Sequence, residues 1–195
     1  MIHKSIDDFF ATKNILENNI RCFHEGNRDL YRVVAVECRK LVCDGKNSLL
    51  LRIFPNIKFH RLKGYIPERL KKNLVFQIPS TVHFDGKGGF KVVELFNKNS
   101  DLISPDDWLN QELFNKDITI RELIRSVSDK ESAHSDKSYN PTLSLSKSVK
   151  FIDEDIHKSH IVAIGEYLLQ IINLLINNNP ELKKIYLERN RKYGE

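Results

Sequence analysis

Residues 30–43 read Leu30-Tyr31-Arg32-Val33-Val34-Ala35-Val36-Glu37-Cys38-Arg39-Lys40-Leu41-Val42-Cys43. Leu30, Val33, Val34, Cys38, Leu41 and Val42 recur at three- and four-residue spacing, which gathers them on one face of an α-helix. Asp44-Gly45 follows as a stop, because glycine accepts the backbone turn that ends a helix. The pattern predicts a helix over 27–43 whose apolar face seeds a helical core.

Working outward, Ile6, Phe9, Phe10, Ile15 and Leu16 predict an amphipathic helix over 4–19. Downstream the period changes. Leu49 to Phe54 is a short apolar run ended by Pro55, and Leu74 to Ile78 is another, ended by Pro79. Thr81–Phe84 and Phe90–Phe96 flank Asp85-Gly86-Lys87-Gly88-Gly89, which reads as a β-hairpin because glycine tolerates positive φ. These runs predict a small antiparallel sheet within 48–97.

Helical signals return at Ser104-Pro105-Asp106-Asp107: a capping serine, a first-turn proline, and acids at the positive helix end. Trp108, Leu109 and Leu113 form its buried side. Thr119-Ile120-Arg121-Glu122 is a capping box, followed by the stripe Ile120, Leu123, Ile124 and Val127. Residues 128–150 hold seven serines and little apolar periodicity, the mark of a functional or disordered loop. A helix is predicted over 153–176, apolar nearly all round from Ile161 and therefore central. Asn177-Asn178-Asn179-Pro180 breaks it, and a basic helix over 181–192 follows. The expected class is α+β in a single domain over 1–195. It is mainly a helical bundle (1–45 and 100–195) with a small antiparallel β-sheet inserted after the first strong helix, as a β-rich insertion over 46–99.

With 195 residues, 41% hydrophobic and 29% charged, the chain is long enough for a proper core. The composition excludes collagen-like, mucin-like and wholly disordered chains. Cys22, Cys38 and Cys43 form no CxxC pair, which argues against a disulfide scaffold and for a reducing, cytoplasmic setting. Cys38 and Cys43 fit as small core residues. The first residues carry Asp7 and Asp8 where a signal peptide needs an apolar stretch. Ile161–Ile176 is short for a membrane span and contains Glu166 and Gln170, so a buried helix and no membrane partner are expected.

The most suggestive chemistry lies in Ser128-Asp129-Lys130-Glu131-Ser132-Ala133-His134-Ser135-Asp136. It follows the capped helix, on which Arg121 and Arg125 stand one turn apart, opposite the apolar stripe. A histidine beside arginines suits RNA cleavage: the 2′-hydroxyl needs a base, and the pentavalent phosphate needs positive charge. A plainer reading has His134 capping a helix end and Arg125 making a surface pair.

Lys130, Ala133 and His134 resemble the Arg-Asn-Lys-x-x-Ala-His run of HEPN-type helical domains. The resemblance covers about seven residues. It implies a helical bundle that binds RNA or cleaves it without metal or other cofactor. It also implies a site shared across a dimer and a setting in toxin or antiphage systems. On that reading His134 is the general base or acid, and Arg125, Arg121 and Lys130 stabilise the phosphate. Ser128 stands where the family has arginine and Asp129 where it has asparagine. Arg125 is thus a substitute, placed nine residues before His134.

His157 and His160, at i and i+3, offer a weaker metal alternative with His134 and Asp136. Gly86-x-Gly88-Gly89 lacks the Lys-Ser/Thr of a phosphate loop and reads as a turn. Charge is more telling. The net +5 of the whole chain equals that of 58–72 alone, where Lys58, Arg61, Lys63, Arg69, Lys71 and Lys72 face only Glu68. Phe59, His60 and Tyr65 interleave, as for stacking on an unpaired base. Residues 183–195 carry +3, and 101–117 carry −4. The charge suits RNA or another acidic partner, a homodimer pairing basic with acidic segments, or ordinary solvated faces. The competing function is a non-catalytic interaction or regulatory subunit using 58–72.

Overall fold

A computed structural model describes residues 2–55, 57–60, 82–84, 90–92, 102–113, 118–129 and 154–193. Helix α1 spans Ile2–His24. It ends in a Schellman motif: the Asn27 N–H donates to the Cys22 carbonyl at 3.0 Å, and the Gly26 N–H to that of Phe23 at 3.2 Å. Gly26 takes φ +116°, which only glycine adopts freely.

A single 3₁₀ turn, Arg28–Leu30, leads into α2, Tyr31–Cys38, which continues as a π-helical turn over Arg39–Cys43. Val34, Cys38 and Leu41 are buried, as the apolar period predicts. The short helix α3, Leu49–Ile53, follows. Helix α4 spans Pro105–Leu109, and the Ser104 Oγ accepts from the Asp107 N–H at 3.0 Å, so the capping signal is realised. Helix α5, Ile120–Ser126, opens on the expected capping box. Glu122 N–H donates to Thr119 Oγ1 at 3.2 Å, and Thr119 N–H donates to Glu122 Oε2 at 2.8 Å. A second π-helical turn, 127–129, extends α5.

Helix α6, Glu154–Asn178, is the central rod. Ile161, Ile164, Tyr167, Leu168, Ile172 and Leu175 are buried, and the helix packs on α1 and α2. It is long and apolar enough to cross a membrane by length and composition alone, yet 67% of that stretch is buried inside the protein, as in a core helix. Helix α7, Pro180–Tyr193, starts at a real cap, since the buried Asn179 Oδ1 accepts from the Leu182 N–H at 3.0 Å. The buried apolar side chains form one cluster.

The expected α+β class is corrected: among the described residues the protein is mainly helical, and no sheet of more than two strands follows the first strong helix. Leu49–Ile53, expected as part of that sheet, is helix. Leu49, Leu50, Ile53 and Phe54 are buried while Arg52 is exposed, a helical spacing within an otherwise unbroken apolar run. Extended pairing among the described residues is confined to isolated two-stranded ladders. Strand β1, Phe59–His60, pairs antiparallel with β4, Leu102–Ile103. Strand β2, Val82–Phe84, pairs with β3, Phe90–Val92, so the hairpin residues do meet, with Val82 opposite Val92. Strand β5, Glu112–Leu113, pairs with β6, Ile118–Thr119. The β1–β4 ladder lends the core one cross-strand pair, buried Phe59 opposite buried Ile103, but ladders of two or three residues are too short to make a core of their own, which remains mainly helical.

Candidate functional site

The capping box fixes the start of α5, and its buried stripe, Ile120, Leu123, Ile124 and Val127, turns the two arginines away from the core. Both are engaged. Arg121 Nη2 lies 2.5 Å from Asp106 Oδ1, and its Nε donates to Asn110 Oδ1 at 3.3 Å, which ties α5 to α4. Arg125 Nη2 donates to the Cys43 carbonyl at 3.3 Å, at the end of the first π-helical turn.

That turn contributes a third guanidinium absent from the sequence reading. Arg39 Nη1 is ion-paired with Asp129 and donates to Ser128 Oγ at 3.5 Å, while its Nε faces Asp44 Oδ1 at 3.4 Å. Ser128 Oγ in turn donates to the Arg125 carbonyl at 3.3 Å. Ser128 and Asp129 are thus partners of Arg39, a side chain 89 positions before Ser128. Such a pairing has no local signal in the sequence. The apolar face dominates the pattern of 30–43, and no residue type there marks the wider turn.

Cys43 lies at the middle of this junction. Burial pushes its thiol up to about 12; nearby Arg121, Arg125 and Arg39 favour the thiolate, and Asp44 opposes it. Three guanidiniums therefore act on one buried sulfur, and burial still wins. Cys38 is fully buried and its thiol is pushed well above the ordinary range, first by burial and then by Cys43 and Glu37. Both thiols are core groups rather than nucleophiles, as expected. Asp44, Asp106 and Asp129 offset the arginines, so the junction is a charge-balanced clamp between α2, α4 and α5.

Of the other residues singled out in the sequence, Lys130 and His134 lie outside the described residues. So do Arg61, Lys63, Tyr65, Arg69, Lys71 and Lys72 of the basic stretch. Lys58 is described and exposed, between buried Ile57 and buried Phe59. The Phe59 ring meets Trp108 edge-on at 5.1 Å and Tyr167 at 6.1 Å, and Trp108 stacks on Tyr167 at 5.1 Å. For the metal alternative, His134 and Asp136 lie outside the described residues. His157 lies in α6, and His160 is buried in its core face. Among the described residues no three His, Cys, Asp or Glu side chains gather as metal ligands.

A second polar seam docks α7 on α1. Lys13 is only 4% exposed. Its ammonium bonds Glu17 Oε2 at 2.7 Å and Tyr186 Oη at 2.9 Å. Burial lowers its proton affinity, but the bonds to Glu17 and Tyr186 outweigh burial and raise its pKa above the ordinary value. Tyr186 Oη donates to Asn14 Oδ1 at 3.0 Å, and Arg189 is ion-paired with Asp7. Farther along α1, His24 Nε2 and Glu166 Oε1 of α6 are 2.7 Å apart at the surface.

No family model matches the chain, and neither a curated protein nor a solved structure matches it.

Proposed function

We propose that the protein binds RNA through the basic stretch that begins at Lys58, as a binding module. The observation that carries this reading is the junction of Lys58 and Phe59. The cation is exposed, while the next residue packs edge-on against the stacked pair Trp108 and Tyr167 in the core. A run carrying +5 over 58–72 therefore leaves from a rigid root. Phosphates attract such a run, and their neutralisation releases counterions, so binding weakens steeply with salt. Arg121 and Arg125 hold α5 to its neighbours, which supports a structural role for both.

The test is fluorescence anisotropy with labelled single-stranded RNA at low and physiological salt. Wild-type protein binds with a steep salt slope. A variant with Lys58, Arg61, Lys63, Arg69, Lys71 and Lys72 changed to glutamine loses both affinity and slope. Equal binding by that variant overturns the proposal.

Cleavage is the second reading, with His134 as general acid or base and Arg125, Arg121 and Lys130 about the phosphate, as the HEPN-like run implies. It is favoured by the convergence of Arg39, Arg121 and Arg125 around Cys43, beside Ser128 and Asp129, which open that run. Incubation of labelled RNA with protein in chelator reads it directly. Cleavage unchanged by His134→Ala ends it.

A further inference from the structure

We infer that the outward face of α7 is a second RNA contact: Lys183, Lys184 and Arg191 meet phosphates, and Leu187 lies among them against ribose and base. For its ligand this rests on the RNA-binding reading above. At 3.6 residues per turn the four side chains share an arc of about 100°. Lys183, Lys184 and Arg191 are exposed, and Leu187, 47% exposed, is one of two large apolar side chains so open among the described residues. Lys184 has only Glu188 near it, at 4.0 Å and itself exposed. Among the described residues neither Lys183 nor Arg191 has an ion-pair partner.

The opposite side of α7 holds this stripe outward. Leu182 is buried, and Tyr186 bonds Lys13 and Asn14 of α1. The Phe10 ring meets that of Tyr186 at 5.0 Å, and Arg189 is ion-paired with Asp7. Arg189 is thus spent inside the seam, and the helix cannot roll to bury its other cations. A surface held before binding loses less freedom on binding.

The pattern selects a nucleic-acid strand. A membrane takes up a helix by its apolar face, and that of α7 is already turned to the core through Leu182, Ile185 and Tyr186. A second copy paired symmetrically about Leu187 sets Lys183 of each copy against Arg191 of the other, like against like. Cations on successive turns track a phosphate backbone. A strand that also engages 58–72 gains from both contacts, since each raises the effective concentration at the other.

The anisotropy assay above tests this with Lys183, Lys184 and Arg191 changed to glutamine; all three are exposed, so the variant folds. We expect roughly tenfold weaker binding at low salt and a salt slope smaller by roughly two, at about 0.7 for each single-strand contact. Leu187→Ser, which changes no charge, weakens binding and leaves the slope unaltered. Changing the exposed Arg21, Arg28 and Lys46 to glutamine removes the same charge elsewhere. An equal loss in that control overturns the inference, as does wild-type binding by the α7 variant. A loss by the α7 variant toward phosphatidylserine vesicles or polyglutamate, but not toward RNA, overturns it in favour of a membrane or an acidic protein. The two readings fail separately. Loss confined to the 58–72 variant leaves that stretch standing and overturns α7; loss confined to the α7 variant does the reverse; wild-type protein that binds no RNA overturns both.

Discussion

A methyl group placed on Gly165 of α6 would lie 2.7 Å from Val34 Cγ1 of α2, with Ile20 Cδ1 and Leu16 Cδ1 of α1 each at 3.3 Å. Three helices meet over one missing side chain. Valine is stiff in a helix, so Val34 cannot swing aside as the tips of Ile20 and Leu16 can. Overpacking costs about 1–3 kcal/mol, against about 1 kcal/mol of helix propensity gained by alanine. We expect Gly165→Ala to lower stability by about 1 kcal/mol, seen as a melting temperature about 2–4 °C lower. In a Val34→Ala background the same change becomes neutral or stabilising. Thermal denaturation of the four proteins checks this; loss of equal size in both backgrounds refutes the close approach.

The aromatic knot predicts a second effect. Phe59→Ala leaves a void against the edge of the stacked Trp108–Tyr167 pair and costs about 3–5 kcal/mol. Trp108 is the chain's sole tryptophan and is wholly buried, so its emission reports on this spot alone. Urea titration followed by that emission shows the loss as a lower midpoint, and the folded variant emits at longer wavelength than wild type. An unshifted midpoint would show that Phe59 does not root the basic stretch.

Stability falls in alkali for three groups whose folded proton affinity exceeds the unfolded one. Cys43 keeps its proton to about 12, whereas its ordinary value is 9.0, and Cys38 is shifted the same way. Lys13 is shifted upward from 10.5. In each case the folded state binds more protons, so the contribution is full below the unfolded value and disappears as pH rises through the folded one. Wild-type stability therefore declines from about pH 9 as the thiols ionise on unfolding. It declines further above 10.5, where Lys13 adds its share. Lys13→Met, measured by denaturant melts across this range, makes the decline above about 10.5 shallower, since only the thiols then contribute to it, and leaves the decline between pH 9 and 10.5 as it was. An identical profile in the variant would exclude Lys13 as a contributor.

Thiol labelling separates the cysteines. Cys22 is partly exposed, whereas Cys38 and Cys43 are buried with their thiols held protonated. At neutral pH a maleimide modifies Cys22 readily and the other two only as fast as the protein opens. Peptide mass spectrometry over a labelling time course reads the order. Early modification of Cys43 would contradict the burial of the junction.

Elements with a clear helical period or a cap were legible from residue order alone. The face Val34, Cys38, Leu41, the Thr119–Glu122 box and the break at Asn179-Pro180 act within a few residues and appear where their chemistry places them. Leu49–Ile53 was not legible, because five apolar or long side chains in a row carry no period. Its helix follows from which residues the surrounding core buries. The candidate site was legible in part. Arg121 and Arg125 stood out, but their partners Asp106 and the Cys43 carbonyl come from other elements. The meeting of Arg39 with Asp129 exists only after α2 and α5 have packed, so no local pattern carries it.

The ring contacts among Phe59, Trp108 and Tyr167 carry a kinetic consequence. The three residues come from well-separated points of the chain, and closing such long intervals costs entropy before any contact repays it. Helix α6 supplies Tyr167 and much of the surface on which α1 and α2 rest, yet more than 100 residues are made between α2 and α6. During synthesis the first two helices therefore wait with their apolar faces uncovered. The three-helix core closes only once α6 is made, and until then the waiting nascent chain exposes apolar surface of the kind chaperones bind.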